Sequence, residues 1–164
     1  MELESLRELF VEQLQDLYSA ENQILKALPK MIKAASSEDL KAGFQEHLSQ
    51  TEQQVKRLEQ IFTGLDEDAE GKKCKGMEGL LKEGSELMSE DAAPEVLDAG
   101  LISAAQHVEH YEIAGYGTVR TYAELLGNQE AVRLLQTTLD EEKQTDVKLT
   151  KLASKINVQA EKAA

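Results

Sequence analysis

An all-α four-helix bundle is the fold this sequence predicts, and three observations carry the prediction. Ala, Leu, Glu, Lys and Gln, all strong helix formers, make up 91 of the 164 residues. There are two prolines, no tryptophan, and only seven Phe plus Tyr, which argues against the many β-branched and aromatic strands of a sandwich or barrel. Apolar residues step by three and four through four long segments, the signature of amphipathic helices.

The first segment, A, runs from about Glu2 to Ala35, with Leu6, Phe10, Leu14, Leu17, Ile24, Leu28 and Met31 on one stripe. Pro29 lies inside it and predicts a kink, because proline removes one helical hydrogen bond and crowds the preceding turn. Ser36-Ser37-Glu38-Asp39 stops one helix and caps the next. Segment B spans about Ser37 to Phe62, on a stripe of Leu40, Phe44, Leu48, Thr51, Val55, Leu58 and Phe62. Gly64 to Lys73 reads as a loop, and Gly76 to Glu90 as a shorter helix carrying Met77, Leu80, Leu81, Leu87 and Met88. Pro94 suits the first turn of segment C, which continues to Leu126. Gly127 then suits a helix end and Asn128 a new cap before segment D, about Gln129 to Ile156. Residues 1–156 thus form one bundle domain, and the small polar tail 157–164 is expected to fray.

At 1.5 Å per residue the long segments are roughly 40–50 Å, and an apolar stripe of that length must be covered by other helices. Short A–B and C–D links make two antiparallel hairpins. The long B–C link with its own helix is the crossover of a ferritin-like bundle.

The net charge of −13 repels nucleic-acid phosphate and anionic lipid. No apolar run is long enough for a membrane span. The acidic, amphipathic start MELESLRELF is unlike a signal or transit peptide. A single cysteine, Cys74, rules out an internal disulfide and a cysteine zinc site, so the cytoplasm is the expected compartment. Cys74 reads as an ordinary surface or packing cysteine, although neighbouring lysines are able to lower a thiol pKa.

The functional signal lies where the stripes break. Glu21 occupies a core position between Leu17 and Ile24. Glu109 and Glu112 do so between Ala105 and Tyr116, and Glu142 and Asp146 between Leu139 and Leu149. His47 sits one turn before Thr51, near the stripe of segment B. Carboxylates in a core cost several kcal/mol each unless they are paired or bound to a metal. The stripes near these positions carry no Arg or Lys. A pair of divalent cations is the simpler compensation, and carboxylates with a histidine suit iron or manganese. Other placements stay open at this stage. Glu109 and Glu112 fit a solvated stripe edge, His47 a hydrogen-bonded core residue, and Asp146 a pair with Lys143 or Thr150. His110 points about 100° away from Glu109, whereas the Tyr116 hydroxyl can reach the site.

At these residues the chain resembles a known family. The blocks DLYSAENQILKALPKM (Asp16–Met31), EHLSQTEQQVKRLEQIF (Glu46–Phe62), KKCKGMEGLLKEG (Lys72–Gly84), ISAAQHVEHYEIAGYGTVRTYAELLG (Ile102–Gly127) and LDEEKQTDVKLTKLA (Leu139–Ala153) are similar to the YciE/YciF family of ferritin-like stress proteins. The resemblance extends from about residue 3 to residue 156, and VEHYEIAGYGT is its most specific stretch. It implies a homodimer with a dinuclear iron site and a ferroxidase label borne by analogy. Ferritin-like sites use single glutamates and Glu-x-x-His motifs. Here Thr51 and Gln54 stand where segment B would carry that motif, and segment D has Glu142-x-x-Thr145. A one-metal or remnant site therefore stays open.

Two classes of function follow. In the first, Glu21, His47, Glu109, Glu112, Glu142 and Asp146 hold two iron ions (manganese being the other candidate) that react with oxygen or peroxide. In the second, the chain is a non-enzymatic dimeric stress protein whose insert helix is the interface, because Met77, Leu80, Leu81, Leu87 and Met88 need a partner surface.

Overall fold

The computed structural model describes residues 3–163, and among them five α-helices and no strand. They are α1 (Leu6–Ala34), α2 (Glu38–Leu65), α3 (Lys75–Met88), α4 (Pro94–Leu125) and α5 (Gln129–Glu161). α1, α2, α4 and α5 form the bundle, and α3 lies on the crossover, as the periodicity predicts. The start expected at Glu2 lies outside the described residues.

The helix ends have local causes. α1 begins at Leu6 because Ser5 and Glu8 form a capping box, with the Glu8 N–H bonded to Ser5 Oγ at 3.2 Å and the Ser5 N–H to Glu8 Oε2 at 2.8 Å. The helix then runs through Pro29 to Ala34. Ser37 Oγ caps α2 through the Leu40 N–H. α2 passes the expected break at Gly64 and stops when Asp66 turns left-handed at φ 55°, a conformation that the short Asp side chain tolerates. Gly127, at φ 73°, ends the α4 arm, and Asn128 Oδ1 caps α5 through the Ala131 N–H. α5 continues five residues past its expected end at Ile156, to Glu161.

Every neighbouring pair in the bundle is antiparallel. Along the α2–α5 seam, Gln60 bonds Glu130 near one end and Lys155 pairs with Asp39 near the other. α2 and α4 therefore run parallel across the diagonal, and the crossover must climb the height of the bundle to join them. At the α1–α2 turn, buried Asp98 of α4 accepts hydrogen bonds from the Ser36 N–H, the Ser36 hydroxyl and the Ser37 N–H at 2.7–2.8 Å. One side chain thus satisfies two turn amides and ties the first hairpin to the second.

α3 docks on α4 and α1. Met77 is fully buried, and Leu80, Leu81 and Met88 pack on the same apolar cluster. Leu87 lies so close to Gly100 that a Cβ there would stand 2.6 Å from the leucine Cδ2. Its own chain thus supplies part of the cover that the apolar face needs, with Met77 buried and Leu80, Leu81, Leu87 and Met88 half-buried.

The core falls into two apolar halves. One gathers Ile24, Leu28, Leu40, Phe44, Met77, Leu101, Ile102 and Leu149. The other gathers Phe10, Leu14, Leu17, Leu58, Phe62, Tyr116, Val119 and Leu135. A polar layer separates them.

Replacing Asp98 with Ala strands two turn amides and a hydroxyl. The expected loss is about 3 kcal/mol, from roughly 1–3 kcal/mol per unsatisfied buried group. Urea unfolding of Asp98→Ala should show a lower midpoint with an unchanged slope, and an unchanged midpoint would contradict the role assigned to Asp98.

Candidate metal centre

The polar layer draws on all four bundle helices. α1 contributes Glu21. α2 contributes His47, Thr51 and Gln54, which share a face because their spacings are four and three. α4 contributes Glu109, Glu112 and Tyr116, and α5 contributes Glu142. All eight are buried, which removes the solvated-edge placement for Glu109 and Glu112.

One ligand-type atom from each of His47, Glu109, Glu112 and Glu142 falls within 4.8 Å of all the others. His47 Nδ1 is 3.2 Å from Glu109 Oε1, and Nε2 is 3.9 Å from Glu142 Oε2. Glu21 joins the layer from the opposite side, where its Oε1 accepts the Tyr116 hydroxyl. The close approach of α1 to α4 depends on Gly115, since a Cβ there would stand 2.7 Å from Leu17 Cδ2.

Burial sets the protonation of this layer. Loss of water, reinforced by the neighbouring carboxyls, drives Glu21, Glu109 and Glu112 well above the usual carboxylate range. Glu142 is raised to about 7 by its burial, partly offset by the Arg57 charge. Desolvation pushes His47 down to about 4, so the imidazole is neutral near pH 7 and its contact with Glu109 is not an ion pair. Tyr116 is raised by burial and by the charge of Glu21, so its hydroxyl keeps its proton.

The layer is also short of hydrogen bonds. Both carboxyl oxygens of Glu109, Glu112 and Glu142 lack a partner among the described residues. The same holds for Glu21 Oε2, His47 Nε2, Thr51 Oγ1 and Gln54 Oε1. Buried polar atoms are seldom left unpaired, and each costs about 1–3 kcal/mol when it is. Oxygen donors with one neutral imidazole fit a divalent first-row metal such as iron or manganese.

The remaining sequence candidates lie elsewhere. Asp146 is not drawn into the close group. Its Oδ1 accepts from Gln106 Nε2 at 3.0 Å, and its Oδ2 stands 3.2 Å from Nε2 of the exposed His110. Four residues beyond Glu142 is a rotation of about 40° past a full turn, which carries Asp146 toward the α4–α5 seam. The pairings open to it in sequence, Lys143 and Thr150, give way to Gln106 and His110. Cys74 is buried and caps α3, its Sγ 3.1 Å from Asp16 Oδ2 and 3.0 Å from the Tyr111 hydroxyl. Burial pushes this thiol up, against the lowering that the nearby lysines suggest. One arrangement has no signal in the sequence: Arg57 grips Glu141 through two bonds of 2.6 and 2.7 Å, and Gln54 Nε2 donates to the same carboxylate at 3.1 Å.

Comparison with known proteins places these observations. A family described as a domain of unknown function, DUF892, matches residues 5–162. Protein YciF of Escherichia coli K12 is 45% identical over the whole of both chains. The crystal structure of that stress protein superposes with a TM-score of 0.91 at 45% identity, covering 93% of this chain and 97% of the other. YcfI of Rhodopseudomonas palustris, for which a structural role is suggested, superposes at 0.88 and 45% identity, covering 91% and 95%. A Xanthomonas campestris protein at 21% identity and TM-score 0.76, with 94% of each chain covered, shares the fold.

The metal-free protein should lose stability as pH rises. Between 4.5 and about 7 the folded chain holds a proton on Glu142 that the unfolded chain has lost. The other three carboxyls extend this loss to higher pH. His47, lowered from 6.5 to about 4, acts in the opposite sense, but its contribution is complete above 6.5. The thermal midpoint of chelator-treated protein should therefore drop by about 5 °C from pH 6.5 to 8, with a shallower drop in Glu112→Gln. A midpoint that is flat or rising over that range contradicts the buried carboxyl layer.

Proposed function

The chain belongs to the YciF family, that of the DUF892 domain, and from this premise we propose that its polar layer is a dinuclear iron centre with ferroxidase or peroxide-reducing activity. The supporting observation is the set of buried carboxyl oxygens and the His47 Nε2 that lack a hydrogen-bond partner among the described residues. Glu21, Glu109, Glu112 and Glu142 would hold the metal with His47 as the nitrogen donor. Four ionised carboxylates carry the charge needed to balance two divalent cations, and the neutral imidazole adds a donor without adding charge. When bound, iron supplies a ferrous–ferric couple that dioxygen or peroxide can oxidise, and manganese is the second fit to these donors.

The protein's own contributions are specific. The two apolar half-cores exclude water above and below the layer. Tyr116 orients Glu21 through its hydroxyl. The carboxyls give up protons when metal binds, so affinity rises with pH, most steeply around pH 7 where Glu142 ionises.

A second reading is favoured by α2, which offers Thr51 and Gln54 in place of the Glu-x-x-His found in di-iron bundles. In that reading the chain is a structural or interaction protein with a weak or remnant site, in line with the role suggested for the R. palustris relative. A second copy of the chain is the proposed partner in both.

Anaerobic loading of the purified chain with ferrous iron separates the two readings. About two irons per chain, lost in Glu112→Ala, followed by ferric absorbance on adding oxygen or peroxide, is the expected result. Iron at background level would sink the first reading in favour of the second.

A further inference from the structure

Among the described residues Gln54, like Thr51 one turn before it, is an uncharged side chain buried with an unpartnered polar atom, and it alone of the two is held by a charged pair outside the layer. Its side chain is wholly buried, and its carbonyl oxygen has no hydrogen-bond partner among the described residues. The orientation of its amide is determined by its surroundings. Nε2 donates to Glu141 Oε2 at 3.1 Å. That oxygen also receives Arg57 Nη1 at 2.6 Å, while Arg57 Nη2 holds Glu141 Oε1 at 2.7 Å. A further bond from Arg57 Nη1 to Thr138 Oγ1, at 3.2 Å, steadies the guanidinium. A carboxylate gripped at both oxygens by a guanidinium acts only as an acceptor, so the NH2 end of Gln54 must face it. Flipping the amide would set its oxygen against the Glu141 carboxylate.

The amide lies in the polar layer. Gln54 is seven residues after His47 and three after Thr51, on the α2 face that lines it. An amide carbonyl is a hard, neutral oxygen donor, of the kind that divalent cations accept beside carboxylates.

We propose that the Gln54 carbonyl oxygen is a metal ligand, supplied by α2 at the position that Glu-x-x-His gives to its histidine, and that Arg57 and Glu141 are positioning residues that aim it. This rests on the metal-centre reading above and goes beyond it in naming a neutral fifth helix-borne oxygen ligand and its support. Because this added donor is neutral, the ligand set keeps the four negative charges of Glu21, Glu109, Glu112 and Glu142, matching two divalent cations without excess. The external ion pair between α2 and α5 becomes part of the site although it never touches the metal.

Cobalt(II) is the probe, since its visible absorption reports coordination and its binding can be titrated without any turnover. In Gln54→Leu, cobalt affinity should fall about 10–100-fold with a changed band shape. Glu141→Gln should weaken binding within that same range, the usual effect of removing a residue that orients a ligand. Gln54→Glu should keep or raise the affinity. The thermal midpoint of each metal-free variant shows whether the fold is intact, and Gln54→Glu keeps the test open if the leucine variant fails to fold. Unchanged affinity and an unchanged spectrum in a folded Gln54→Leu would overturn this assignment and leave the metal centre standing. A wild-type chain that binds no cobalt would overturn both.

Discussion

A carboxylate moved from water into a protein interior loses several kcal/mol of solvation, and here four are collected in one layer at mid-bundle. Glu21, Glu109, Glu112 and Glu142 crowd around a neutral His47 with most of their oxygens unpaired. That layer interrupts the core where an ordinary bundle would place Leu or Ile. The apolar half-cores on either side must stabilise the fold enough to carry it, and their depth keeps the layer dry. Dryness in turn shifts the protonation of every group inside: carboxyls and tyrosine upward, histidine downward.

The helices are braced around this layer. Gly115 lets α1 come close to α4, so that Glu21 meets the Tyr116 hydroxyl. Arg57 and Glu141 join α2 to α5 at the edge of the layer. Asp98 fastens the α1–α2 turn to the first turn of α4, one end of the bundle away. α3 covers the α1–α4 side with Met77, closing the seam beside which Cys74, Tyr111 and Asp16 interact. These contacts lie on different elements but have one consequence, a cluster of titratable groups that solvent does not reach.

Membership of the YciF family accounts for the fold and leaves the chemistry to the site, because a fold hosts many functions. The departure from di-iron bundles is greatest on α2, whose inward face carries a histidine, a threonine and a glutamine instead of Glu-x-x-His, while α5 keeps Glu142 and has Thr145 where the motif has histidine. The other three helices keep their glutamates. The site is therefore rich in carboxylate on three sides and neutral on the fourth.

Helix type, number and order were legible in the sequence, because a 3.6-residue apolar period over about 30 residues admits no other structure. Glu21, Glu109, Glu112, Glu142 and His47 were legible as well, since a polar residue on an apolar stripe points at the core wherever the helix packs. Partners across helices were not. Asp146 shares a near-stripe position with Glu142, yet its direction depends on where α4 sets Gln106 and His110. The insert helix showed an apolar face but not what covers it, and α1 and α4 proved to bury Met77 and half-bury the rest. Asp98, Gln54 and the Arg57–Glu141 pair read as ordinary polar residues until helices distant in sequence met. The sequence by itself determined which faces are buried, since local periodicity is a property of one helix. Only the tertiary structure decided which buried groups find partners, because that depends on distances between helices that no local pattern contains.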